Sequence, residues 1–203
     1  NNALGVALED VDNDGKVDAA VTSSSTGTVG VFRNMSPVST LSGIAASTVT
    51  TTSVCDNGTW KTIYDAGSNG VLASIKYNGN NLGSVSGSVY VEAQPGTVSN
   101  GQRYLARHFV ITPTVQPPTA VQVRLYFTDA ELLALKAVDP LIQDAGDLSI
   151  TKYVGPNEDG IYNISSGTVI LIPSSAITTG IEHGVNYLEF TANGISEFWI
   201  HSG

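Results

Sequence analysis

The feature that most constrains the fold is a recurring pattern of short runs of β-branched and aromatic residues, separated by Gly, Asn and Pro. The clearest run is VQVRLYF at residues 121–127, in which Val, Val, Leu and Phe alternate with Gln, Arg and Tyr. Alternation of this kind predicts a half-buried strand. Only 13% of the 203 residues are charged, and long helix-forming segments are missing, so we expect an all-β fold.

The same pattern predicts the arrangement of the longer, second part of the chain. We expect strands within residues 59–65, 71–79, 87–94, 103–113 and 121–127, and a final hairpin of 184–192 with 195–203 about the turn Asn193-Gly194. One helix is expected after Thr128, because Glu131 follows three residues later as in a capping box and Pro140 prevents continuation. Turns about every 8 to 12 residues favour an antiparallel β-sandwich.

A second informative pattern is the acidic segment EDVDNDGKVD at residues 9–18. Four aspartates occupy positions 1, 3, 5 and 9 of one loop: Asp10, Asp12, Asp14 and Asp18. Like charges at this spacing repel one another, whereas Ca²⁺ takes six to eight oxygen ligands and would neutralise them. We therefore predict a calcium site made by these carboxylates and the backbone carbonyl of Lys16. A solvated acidic turn without an ion is the alternative.

The flanks of this loop exclude an EF-hand. Val21 stands at position 12, where an EF-hand requires a bidentate Glu, and both flanks are predicted to be strands. The segment ALGVALEDVDNDGKVDAAVTSSSTGTVGVFRN instead resembles a single FG-GAP-type repeat, the blade motif of integrin-α-like β-propellers. The resemblance implies calcium binding by the same four aspartates. Since the sequence holds one copy, we expect either the last blade of an upstream propeller or a solitary repeat docked on the sandwich.

The rest of the chain carries a second resemblance. The order of CDNGTWKTIYDAG, VLASIKYNGNNLGSVSGSVYVEA, RYLARHFVITP, VQVRLYFTDAEL and YLEFTANGISEFWI is similar to a module of very large secreted proteins of Bacteroidetes-type bacteria. In those proteins the module precedes the sorting domain of type IX secretion. The resemblance implies a secreted or cell-surface location and a spacer or binding role. The expected domains are a calcium-binding β-meander at 1–35, a linker at 36–44 and a β-sandwich at 45–203.

Composition limits the partners. The formal charge is −9, from 18 acidic and 9 basic residues, which argues against nucleic acid or an anionic membrane. The single cysteine, Cys55, excludes an internal disulfide framework, and no apolar run is long enough to span a membrane. The first residues, NNALGVALEDV, lack the features of a secretion signal, so we expect a piece of a larger, mature protein.

No catalytic motif stands out in the sequence. The three histidines are His108, His183 and His201, and no two of them have metal-ligand spacing on one element. The GSVSG segment at 83–87 has Val85 at its centre and so fails the nucleophile-elbow pattern. Glu189 and Glu197 would face each other across the predicted final hairpin, as a glycosidase pair could, but exposed cross-strand acids are commoner. We therefore expect no enzyme.

Aromatic residues raise the question of sugar binding. A stacking platform on the sandwich could be formed by Trp60 and Tyr64, with contributions from Tyr77, Tyr90 and Tyr126. Core packing is the alternative, for Trp60 and Trp199 above all.

The sequence as a whole favours a non-catalytic, calcium-binding adhesion or spacer module of a secreted or surface-anchored bacterial protein. Two alternatives remain open, which are a carbohydrate-binding accessory region of a secreted hydrolase and a self-assembling subunit of a surface fibre. The expected partners are a calcium ion and either a surface glycan or a neighbouring subunit.

Overall fold

A computed structural model describes residues 3–9, 18–23, 27–33, 47–52, 58–65, 70–98, 101–156, 167–182 and 184–203. The chain divides into two compact units, Asn1–Pro37 and Val38–Gly203. The predicted linker at 36–44 lies outside the described residues. The described residues are mostly in antiparallel strands and contain one α-helix, which confirms the prediction of an all-β, sandwich-like fold with a short helix.

The first unit contains a three-stranded antiparallel meander. Its strands are β1 (Ala3–Glu9), β2 (Asp18–Ser23) and β3 (Thr28–Phe32), in that spatial order. The predicted strand–loop–strand arrangement is confirmed, because β1 and β2 pair on either side of the acidic loop. Gly27 supports the second connection, since it adopts a positive φ of 63° that other residues rarely take.

Apolar side chains are exposed on both faces of this meander. The register pairs Leu8 with Ala19 and Ala19 with Phe32 on one face, and pairs Ala20 with Val31 on the other. Leu8 is 69% exposed, Phe32 62% and Val31 59%. Three strands cannot bury a core by themselves. The described strands of this unit therefore leave apolar surface exposed on both faces.

The second unit contains two sheets. Its strands in chain order are β4 (Ser47–Thr52), β5 (Trp60–Tyr64), β6 (Val71–Lys76), β7 (Ser84–Val91), β8 (Gly96–Thr97), β9 (Arg103–Pro113), β10 (Val121–Phe127), β11 (Ser149–Val154), β12 (Thr168–Ile172), β13 (Thr178–Glu182), β14 (Val185–Ala192) and β15 (Glu197–His201). One sheet has the order β13-β14-β10-β6-β5. The other has the order β12-β11-β15-β9-β7-β4, with β8 paired to β9.

The core of this unit lies between the two sheets. Alternation in β10 directs Val123 and Leu125 inward, and both are fully buried. Phe190 of β14 and Phe198 of β15 meet from opposite sheets, with ring centroids 5.4 Å apart in an edge-to-face arrangement. Such a contact between sheets is expected of a sandwich, whose inner faces interdigitate.

The predicted helix is α1 (Asp129–Lys136), and its capping box is confirmed. The backbone N–H of Glu131 donates to Thr128 Oγ1, and the Glu131 carboxylate accepts from the backbone N–H of Thr128. These bonds satisfy donors that a helix N-terminus leaves free. Leu135 anchors the helix in the core.

The predicted final hairpin is wrong. The strands β14 and β15 do not pair with each other, because β14 lies between β13 and β10 while β15 lies between β11 and β9. The turn at Asn193-Gly194 therefore carries the chain from one sheet to the other. Other groups satisfy its backbone: Lys152 Nζ donates to the carbonyls of Asn193 and Gly194, and Gln116 bonds both the N–H and the carbonyl of Ile195.

Candidate functional site

The predicted calcium ligands are only partly within the described residues. Asp10, Asp12, Asp14 and Lys16 lie outside them, whereas Asp18 is described as the first residue of β2. Its side chain is buried, with 2% of its surface exposed. Among the described residues no group of three or more His, Cys, Asp or Glu side chains could hold a metal ion.

The sequence that leads to Asp18 is strongly acidic. The register of β1 and β2 places Glu9 directly opposite Asp18. Carboxylates directly opposite each other across two strands are destabilising, and a buried carboxylate requires compensating contacts. Residues 9–18 contain five acidic residues and one lysine. Arg33 follows Phe32, the register partner of Ala19, and so lies at the same end of the sheet as Asp18.

The second predicted site lies on the five-stranded sheet. Trp60 and Tyr64 are the first and last residues of β5, and both are half-buried on the outer face of the sheet. Tyr126 lies on the same face, and Tyr64 packs beside it. The other two expected members are elsewhere: Tyr77 is buried in the core, and Tyr90 is on the seven-stranded sheet.

Arg124 of β10 is at the centre of this outer face. Its guanidinium carbon lies 4.1 Å from the ring centroid of Trp60 and 4.5 Å from that of Tyr187. Its Nε donates to Glu189 at 2.8 Å, and its Nη1 donates to both oxygens of Glu182 at 2.9 Å. One cation on β10 thus contacts two rings and two carboxylates that lie on three other strands, β5, β13 and β14.

A chain of hydroxyl groups extends this arrangement. Tyr126 donates to Glu182 at 2.5 Å, and its oxygen also hydrogen-bonds with Ser74, which bonds with Thr62. Burial and the hydrogen bond to Glu182 raise the pKa of Tyr126, so its hydroxyl remains protonated and donates. We call the following set the Arg124 cluster: Trp60, Thr62, Ser74, Arg124, Tyr126, Glu182, Tyr187 and Glu189.

The charge state of Arg124 follows from its contacts. Burial opposes the charged form, but the hydrogen bonds and negative charges of Glu189 and Glu182 outweigh burial and raise the pKa of Arg124. Arg124 therefore remains protonated and positively charged. The Arg124 side chain is 15% exposed to solvent, and the side chains of Glu182 and Glu189 are 31% and 22% exposed. The cluster is consequently well ordered by contacts yet reachable from solvent.

The outer face of the seven-stranded sheet has different properties. His108 stacks between Trp199, at 3.9 Å between ring centroids, and Tyr90, at 5.2 Å. Both His108 and Trp199 are almost fully buried, so Trp199 is packed inside the protein and is not part of an exposed stacking platform. Glu197 is also buried here, whereas Glu189 is on the other sheet. The two glutamates therefore do not form the facing pair that a hairpin would have produced.

A cleft of about 520 Å³ lies elsewhere in the second unit. Its lining includes Gln102, Arg103, Asp139 and Leu141. No member of the Arg124 cluster lines it.

Comparison with protein-family models, curated proteins and solved structures finds no match to this chain. The two resemblances drawn from the sequence therefore stay predictions. None of the described helices has the length and apolar character that a membrane span requires.

Sequence reasoning missed Arg124, Tyr187 and Glu182 as members of a site. Alternation does place Arg124 with Tyr126 on the polar face of β10, and Tyr187 with Glu189 on the polar face of β14. The missing information was the strand order, which brings β5, β10, β13 and β14 into one sheet. Aromatic residues alternating with core residues on several strands were the available signal.

Proposed function

We propose that this chain is a non-catalytic, calcium-binding adhesion module of a secreted or surface-attached bacterial protein. The observation that carries the calcium part is the position of buried Asp18 opposite Glu9, at the base of a loop that adds Asp10, Asp12 and Asp14. A divalent cation in the loop would offset this concentration of negative charge. Calcium at millimolar extracellular concentration fills even weak sites of this kind.

The adhesion part is supported by the Arg124 cluster. Surface recognition favours aromatic and arginine side chains held in fixed positions, because little entropy is lost when a partner binds. Arg124 and Tyr187 are held by several contacts each, and the carboxylates of Glu182 and Glu189 are engaged with Arg124. These contacts favour a binding surface over a set of free acid–base groups.

Calorimetric unfolding in millimolar calcium and in excess EGTA tests the calcium part, together with a bound-metal assay. Calorimetry is needed because both tryptophans, Trp60 and Trp199, belong to the second unit. We expect calcium to stabilise the first unit by about 3 kcal/mol at a hundredfold excess over Kd.

Variants make this test specific. Asp12→Ala or Asp14→Ala should abolish the calcium-dependent shift, whereas Asp129→Ala, an exposed acid of α1, should retain it. A wild-type protein that binds no calcium and melts identically in both buffers would refute the proposal.

A self-assembling fibre subunit is the second candidate function. It is favoured by the exposed apolar residues on both faces of the meander, such as Leu8 and Val31. Sedimentation velocity over a wide concentration range tests it. Concentration-dependent polymers that Val31→Glu prevents would favour assembly, and a monomer at all concentrations would exclude it.

A further inference from the structure

We propose that the outer face of the five-stranded sheet binds a neutral, hydroxyl-rich glycan, with Trp60 as the stacking ring and Arg124 as a hydrogen-bond donor. This inference rests on the proposed function, since it treats the sandwich as a binding module and names its ligand class.

The ring positions fit a pyranose. Sugar rings present C–H groups that pack on an aromatic face, and hydroxyl groups around the edge that require hydrogen-bond partners. Trp60 is partly exposed on the edge strand β5, and the Arg124 guanidinium lies over one face of its ring, so a sugar would stack on the opposite face. A ring that is already fixed loses little freedom when a ligand stacks on it.

Hydrogen-bonding groups surround this ring. Arg124 uses Nε and Nη1 for its hydrogen bonds to Glu189 and Glu182. Its Nη2 makes no hydrogen bond to any of the described residues. The Glu189 carboxylate remains partly exposed, and it has acceptor positions beyond the one that accepts from Arg124 Nε. Donors and acceptors beside an aromatic ring are the combination that a polyol requires.

The charge balance of the face favours a neutral ligand over a charged one. The register places Lys76 on the same face as Trp60 and Gln122. Among the described residues this face therefore carries two cations, Lys76 and Arg124, and two carboxylates, Glu182 and Glu189. An anionic polymer gains nothing from this balance and is repelled by the net charge of −9. A cationic ligand would have to displace Arg124 from both glutamates, so a neutral ligand fits best.

Affinity electrophoresis and titration calorimetry on the full chain in millimolar calcium test the inference. The neutral probes are hexasaccharides of cellulose, xylan, mannan and chitin together with their soluble polysaccharides, and the anionic comparators are polygalacturonate and heparin. We expect binding to at least one neutral probe and to neither comparator. Binding to no neutral probe, or to the anionic comparators alone, would overturn the inference.

Variants then assign the site. Trp60→Ala should weaken binding about tenfold, and Trp60→Phe should restore most of it because a ring remains. The matched control is Tyr90→Ala, which removes a half-buried ring from the other sheet and should leave the affinity unchanged. A folded Trp60→Ala protein that binds as tightly as the wild type would overturn the assignment, and melting temperatures of all variants identify any that fail to fold.

The same samples separate this inference from the proposed function. A calcium-dependent melting shift without glycan binding would support the proposed calcium-binding function and reject the inferred glycan ligand. Glycan binding that depends on Trp60, without any calcium effect, would reject the calcium site and retain the inference. New reducing ends in the bound glycan would show hydrolysis and contradict the non-catalytic role.

Discussion

Arg107 of β9 donates from Nε to Oε1 of Glu131 in α1 at 2.9 Å; the Arg107 side chain is buried, with 3% exposure, and the Glu131 side chain is mostly buried, with 12%. The same glutamate also closes the capping box of α1 through Thr128. A single carboxylate therefore joins the start of the helix to the seven-stranded sheet. The pair attaches the only α-helix of the described residues to the sandwich.

Removing Arg107 should strongly destabilise the second unit. Arg107→Ala leaves the Glu131 carboxylate buried without its cation, and breaking a buried ion pair from one side costs about 3–5 kcal/mol. The double variant Arg107→Met with Glu131→Gln should lose less, because no charge remains buried and Gln still fits a capping box. Urea unfolding monitored by tryptophan fluorescence measures both. A double variant that is less stable than Arg107→Ala would contradict this account.

A second prediction concerns His201 of β15. Its Nδ1 accepts from the backbone N–H of Gly203 at 2.8 Å, so the neutral ring carries its proton on Nε2, which donates to Thr151 at 2.7 Å. Burial lowers the pKa of His201 from 6.5 to about 4, and the charge of Asp139 opposes this only in part. Protonation of the folded state would also place a proton on Nδ1 facing the Gly203 N–H.

The pH dependence follows from this lowered pKa. The unfolded chain takes up a proton at His201 near pH 6.5 while the folded chain does not. The contribution of neutral His201 to the free energy of unfolding is therefore complete above pH 6.5 and declines as the pH falls toward about 4. The decline amounts to about 3 kcal/mol in the free energy of unfolding. Urea titrations between pH 7 and pH 4 measure it, and His201→Gln should show a flatter profile. Equal slopes for the two proteins would refute the assignment to His201.

The parts of the fold that were predictable depend on local signals. The strand β10 and the capping box of α1 follow from alternation and from a four-residue motif, and both have the predicted positions. The final hairpin failed because Asn193-Gly194 specifies a turn but not which strands pair beyond it. Non-local pairing separates the two strands, since β14 pairs with β10 and β13 whereas β15 pairs with β9 and β11.

The candidate site shows the same limit. The shared face of Trp60 and Tyr64 follows from the sequence, since alternation in β5 directs both away from buried Ile63. The contact of Arg124 with Glu182 joins residues 58 positions apart, and no local pattern predicts it. Strand order is set by the packing of the whole sandwich, so side chains that meet across several strands are found only when that order is known.

A third prediction concerns the glycine beneath Tyr187. Gly180 of β13 is the register partner of Tyr187, and a Cβ at this position would overlap the hydroxyl end of the Tyr187 ring. Gly180→Ala should therefore displace a flexible side chain without disrupting the backbone. The displaced ring would lose its contact with the Arg124 guanidinium, which lies 4.5 Å from the ring centroid. A cation–π contact of this kind contributes about 0.5–1 kcal/mol.

A double-mutant cycle isolates this effect. Gly180→Ala should lower the free energy of unfolding by about 0.5–1 kcal/mol in the wild-type background and have little effect once Tyr187→Ala has removed the ring. Gly184→Ala is a suitable control, because a Cβ there meets no atom within 4 Å while its positive φ of 78° still penalises the substitution. That penalty should be the same with or without the Tyr187 ring. Equal effects of Gly180→Ala in both backgrounds would mean that the substitution destabilises strand β13 itself and that Gly180 does not position Tyr187.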